Sequence, residues 1–303
     1  MSKQILFLGK VFLIILITFS ISSCNRSNKQ AEEISVDDFT VSDDIFEDIS
    51  TAKKIFYSLP SPLETAVLIK NAGAEYSEQL LNPLENADNY TTNKKMALNL
   101  GVYTTDLSYA SLFDQPQTSI NYMNASKKMA DGLGILDAID EATLELLSDN
   151  LDNKEKIMDI ISETFMSSSS YLKDNNRPEI ATIVLIGGWM EGLYLATTLV
   201  GDKPIEDNKL VDRIVEQRLS YDILMKLMNE YGDDENIQAL KAQLVNFDAI
   251  MKKIVITSGE VETEKDTETN VTTLKVENKV TITKEIFDSL TKEVKTIRND
   301  FIL

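Results

Sequence analysis

Two carboxylates stand out for the company they keep. Glu191 is the one charged residue in the 21-residue run Ile180 to Val200. A carboxylate carried into an apolar helix interior must be protonated, paired or bound to a metal. Asp106 belongs to a second unusual pattern. Asn99, Val102, Asp106, Tyr109 and Phe113 recur at steps of three and four, so they share one helix face, with Tyr103 beside them. A simple core face would carry Leu and Ile there. If that face meets Trp189, Glu191 and Tyr194, the candidate pocket holds Asn99, Tyr103, Asp106, Tyr109, Trp189, Glu191 and Tyr194. Two acids between aromatic walls suit a small cationic or sugar-like ligand, or a hard divalent cation held on oxygen. The plainer reading is a hydrogen-bonded helix interface with tyrosines at its edge, and a Glu191 bound to a Lys, an Arg or a helix end. A glycosidase-like acid pair is conceivable, but two acids on helices are too unspecific to name a catalytic residue.

The chemistry that is missing narrows the field further. The chain has no histidine and one cysteine, Cys24. That removes Ser-His-Asp and Cys-His triads, His-ligated zinc and histidine general bases. No phosphate-cradling glycine loop and no nucleophile-elbow motif is present. No cofactor is called for, and no metal-ligand spacing is seen. The net charge of −19 repels phosphate backbones and anionic lipid surfaces, which argues against nucleic acid as a partner class.

Cys24 sits at the end of a short basic start, an apolar run from Val11 to Ile21, and two serines. That is the layout of a secretory signal. Its ending, Ile21-Ser22-Ser23-Cys24, resembles the lipobox of bacterial lipoproteins. The resemblance implies a diacylglycerol on the Cys24 thiol, cleavage between Ser23 and Cys24, and a protein held in the cell envelope by its lipid alone. Asn25 is compatible with the outer membrane under the sorting rule of the enteric branch of that class. The Asn-, Lys- and Ile-rich style is similar to that of uncharacterised helical lipoproteins of the Bacteroidetes type, a similarity that carries no active site with it. With one cysteine, no intramolecular disulfide can form.

The elements that would position the acids are helices. Residues 1–23 read as the signal peptide and 24–50 as an acidic tether, too polar to offset its own ordering entropy. Residues 51–258 carry helical periodicity throughout. Ser61-Pro62-Leu63-Glu64 opens one helix, and a short one is expected over 75–81 before Pro83. Further helices are expected over 92–113, 117–133, 136–148, 152–173, 177–200, 206–231 and 235–256. Short connections make neighbours antiparallel hairpins. The 177–200 helix is apolar all round and should be enclosed by the others; its length also suits a bilayer, but Glu191 at its middle would be costly in lipid. In 259–303, a Thr- and Glu-rich linker precedes a small β-hairpin, 271–276 with 279–282, turning at Glu277-Asn278. Thr283 then caps a last helix with the stripe Ile286, Leu290, Val294, Ile297 and Phe301, which should dock on the body.

The fold expected is therefore mainly α, an antiparallel helix-hairpin bundle around a central apolar helix, with a small β-hairpin near the C-terminus. The function expected is that of a lipid-anchored envelope protein, non-enzymatic, binding an envelope protein or a small cationic or sugar-like ligand. A carboxylate- or metal-dependent envelope hydrolase is the alternative.

Overall fold

Most helices begin on a side chain that accepts a hydrogen bond from the first turn. The computed structural model describes residues 75–303, apart from 137–138, 140, 151–152, 258–260, 266–271 and 277–278. The signal segment 1–23, Cys24, the tether 24–50 and the helix expected from Ser61 lie outside the described residues. Helix α1 spans Asn93–Leu112 and is capped by Thr92, whose hydroxyl accepts from Lys95 N. α2 is Pro116–Gly132, α3 Glu141–Asp149 and α4 Lys154–Asp174, the last capped by Asn153. α5, Pro178–Val200, starts on a proline whose missing N–H is no loss at a helix start. α6 is Lys209–Glu230 behind Asn208, α7 is Glu235–Gln243 behind Asp234, and α8 is Val245–Met251. α9, Lys284–Ile302, follows its Thr283 cap. Each such cap contributes about 1 kcal/mol. The described residues belong to one compact unit and are mainly α.

Four local expectations are corrected. The stretch 75–81 is not an α-helix: only short 3₁₀ turns form, at Glu78–Leu80 and Leu84–Asp88, on either side of Asn82-Pro83. Pro83 disfavours helical backbone at Asn82, and the Asn82 N–H is engaged elsewhere. The helix expected over 235–256 is divided at Leu244, whose N–H is shared between the Leu240 and Lys241 carbonyls, and ends at Met251. Its intended last residues form strand β1, Val255–Thr257, a β-branched run. The expected linker contains strand β2, Val261–Lys265. Nor does the pairing across Glu277-Asn278 occur. β3, Thr272–Val276, pairs antiparallel with β2 (Val261 opposite Val276), and β4, Lys279–Thr281, pairs with β1 (Val255 opposite Thr281). Partners brought from farther along the chain decide strand pairing here over the nearest turn signal.

The core is built on α1 and α5 crossing at backbone contact. A Cβ on Gly101 would come within 3.0 Å of Val184 O and Gly188 N, and one on Gly187 within 3.0 Å of Leu98 O. Glycine is required at both positions because backbone faces backbone. Gly188 also faces the crossing, where a Cβ would lie 3.2 Å from Gly101 O, whereas Gly192 meets nothing within 4 Å. The Thr105 hydroxyl spans the crossing, 3.0 Å from its own Gly101 carbonyl and 3.1 Å from that of Gly188. Around this pair, α2 packs on α1, α4 and α6 on α5, and α9 on α5, α8 and α1. By length and composition α5 could cross a membrane, yet 67% of its most apolar window is buried by the rest of the protein. α1 is as central as α5: every residue from Thr105 to Leu112 is buried.

Candidate functional site

The crossing places Asp106 of α1 and Glu191 of α5 side by side, both with no exposed surface. Glu191 follows from the apolar run that drives α5 inside, and Asp106 from the mixed face of α1. A third residue completes the group. Arg298 of α9 donates from Nε to Glu191 Oε2 at 2.8 Å and from Nη2 to Oε1 at 3.0 Å. This two-pronged geometry is the strong form of an Arg–carboxylate pair. Nη2 also reaches the Leu80 carbonyl at 3.0 Å, and the guanidinium carbon lies 4.5 Å from the Tyr194 ring centre. The plainer expectation for Glu191, an ion pair inside the fold, describes this contact.

The rest of the α1 face is taken up by the chain's own backbone. Asn82, fully buried, donates its N–H to Asp106 Oδ2 at 3.0 Å. Its side-chain amide donates to the Tyr90 hydroxyl and to Asn99 Oδ1, both at 3.0 Å, and its carbonyl accepts from the Tyr122 hydroxyl at 2.9 Å. Asn99 Nδ2 donates to Phe301 O at 2.9 Å, and the Tyr90 hydroxyl to Ile302 O at 2.9 Å. The Tyr103 hydroxyl donates to Pro83 O at 3.2 Å, and the Tyr109 hydroxyl accepts from Ser77 N at 3.2 Å. The polar face of α1 is thus a socket for the irregular segment 77–90 on one side and the end of α9 on the other.

Six of the seven sequence-selected pocket residues, Asn99, Tyr103, Asp106, Tyr109, Glu191 and Tyr194, line this buried network or its aromatic edge. Trp189 does not. Two positions along a helix is about 200°, so Trp189 points away from Glu191. It stacks on Tyr221 of α6 with ring centres 5.9 Å apart and meets Phe247 of α8 edge-on at 5.7 Å. Its Nε1 has no hydrogen-bond partner among the described residues. Asn82, Tyr90, Tyr122 and Arg298 were missed from sequence. Arg298 carried a readable signal, since it falls four residues from both Val294 and Ile302 and so lies in the apolar stripe of α9.

Electrostatics follow from burial. Loss of solvent pushes the Asp106 carboxyl well above the usual range, and neighbouring Glu191 pushes it further, against the pull of Arg298 and the Asn82 N–H. Glu191 is raised by burial too, but Arg298 and a hydrogen bond from Asp106 hold it down, so of the two Asp106 is the better proton holder. Burial likewise raises the phenols of Tyr90, Tyr103, Tyr122 and Tyr194, and pushes that of Tyr76 up to about 12. Among the described residues, no group of three or more Asp, Glu, His or Cys side chains is placed to hold a metal ion. Comparison with family models, with curated proteins and with solved structures finds no match.

Proposed function

We propose that this chain is a lipid-anchored protein of the cell envelope, attached through Cys24, with a helical body that serves as a non-enzymatic binding or scaffold module facing soluble partners. The observation that carries the reading is Ile21-Ser22-Ser23-Cys24 at the end of an apolar run. Two or three acyl chains suffice for stable attachment, at about 0.8 kcal/mol per buried CH₂. The body then needs no lipid-binding face, which accords with its strongly acidic charge. An outer-membrane position is the proposed location, and a small cationic or sugar-like ligand or an envelope protein the proposed partner class.

The internal pairing of the candidate acids supports a scaffold over the alternative, a carboxylate- or metal-dependent hydrolase. A glycosidase-type pair must reach substrate and water, whereas Asp106 and Glu191 have no exposed surface and Glu191 is committed to Arg298. Cys24→Ala tests the anchor. The variant should lose labelling by a fatty-acid analogue and move from the membrane to the soluble fraction. Labelling that persists in the variant would remove the lipoprotein reading.

A further inference from the structure

Two fully buried carboxyl groups in contact face a single cation, and that charge count has a consequence. Arg298 meets both oxygens of Glu191. Asp106 receives only the Asn82 N–H, on Oδ2, and its Oδ1 has no donor although it is buried. An ionised carboxylate can only accept hydrogen bonds, so a buried Oδ1 without a donor is an unmet desolvation cost. The same atom carrying a proton becomes a donor, and the neighbouring carboxylate of Glu191 is its acceptor. We infer that Asp106 and Glu191 share one proton, Asp106 donating it from Oδ1 to Glu191, and that this bond is a pH-sensitive lock holding α9 and the 77–90 segment on the α1–α5 crossing.

The lock is placed to do this. Glu191 binds Arg298, Arg298 binds the Leu80 carbonyl, and Asp106 binds the Asn82 N–H, so one proton balances contacts to both outer elements. The other titratable groups facing the pair are Tyr103 and Tyr109 on α1, Tyr122 on α2, Tyr194 on α5, and Tyr76 and Tyr90 in the leading segment. Burial raises all six, so they stay neutral while the acid pair titrates. Glu78 is the acid acting on Tyr76 and Tyr122 from that segment. When the shared proton leaves, two anions face one cation without solvent.

The sign is opposite to that of an ordinary salt-bridged aspartate. Asp106 holds its proton more tightly folded than unfolded, so its contribution is complete below the ordinary aspartate range. It is lost progressively as pH rises towards the raised folded value. Across that window one extra bound proton lowers the folding equilibrium constant by up to tenfold per pH unit.

Asp106→Asn keeps the shape, offers an amide N–H to Glu191 and cannot titrate. Chemical denaturation of the intact protein at a series of pH values should show the wild type losing up to one more factor of ten per unit than the variant, with the variant the more stable at the alkaline end. Equal pH slopes in the two proteins would overturn the proposal. The second measurement needs no variant to fold: carboxyl-carbon NMR of the wild type, with Asp106 assigned, should report a protonated acid at neutral pH. An ionised Asp106 there would overturn it as well.

Discussion

The two flanks of α5 solve the same problem by opposite means. One carries Glu191 into a lattice of Arg298, Asp106, Asn82, Asn99 and four tyrosines, where nearly every polar atom is matched to a named donor or acceptor. The other carries Trp189 against Tyr221 and Phe247, held by ring contact, with an indole N–H that none of the described residues accepts. The polar flank fixes which elements meet, because each bond has a direction and a partner. The aromatic flank supplies dehydrated area and tolerates an imperfect hydrogen bond. The identity of an atom matters on the first flank, and the volume of a side chain on the second.

The sharpest way to break that comparison is Glu191→Ala, which leaves the Arg298 charge buried without its anion. Chemical denaturation should show a loss of about 3–5 kcal/mol. Glu191→Gln, nearly isosteric, should lose most of the same amount, while Glu191→Gln with Arg298→Met should recover a large part of it. If the isosteric change is harmless, the flank is held by packing and the contrast fails. Phe247→Ala on the aromatic flank should cost about 3–5 kcal/mol, because it opens a cavity. Phe247→Leu should cost below about 1.5 kcal/mol, because most of the volume stays. Similar losses for Leu and Ala would show that ring geometry matters as much as volume. The smallest effect expected is that of Tyr103→Phe, about 1 kcal/mol for one hydroxyl bonded to the Pro83 carbonyl, read as a lowered melting temperature.

The helical character, the Thr283 cap and the enclosure of α5 are legible because each rests on short-range information: a Thr before a periodic run, or an unbroken apolar stretch. The pairing of Glu191 with an Arg or Lys was legible in kind, since no buried carboxylate stands alone, but its partner lies 107 residues away. From sequence, the mixed face of α1 suits a ligand pocket or, more plainly, a hydrogen-bonded helix interface. Its polar groups instead meet a backbone segment without regular structure, which periodicity cannot find. Nothing in the sequence singles out Asn82 beyond its place before Pro83; its role as the hub of the polar flank depends on α1, α2 and Tyr90 converging on it. β2 looked like a linker because its Thr- and Glu-rich composition is weak evidence until a partner strand is supplied.

The bonds from Tyr90 to Ile302 and from Asn99 to Phe301 join residues 212 and 202 positions apart. Contacts of that separation come late in folding, since the entropy of closing so long a loop is met before any stabilisation returns. While the chain is being made, then, α1 and α5 can meet at their glycines, but Glu191 has no counter-charge and the socket has no floor until α9 has been synthesised. The polar flank is therefore the part of the fold whose closure waits on the most distant partner, while the α1–α5 crossing can form without it.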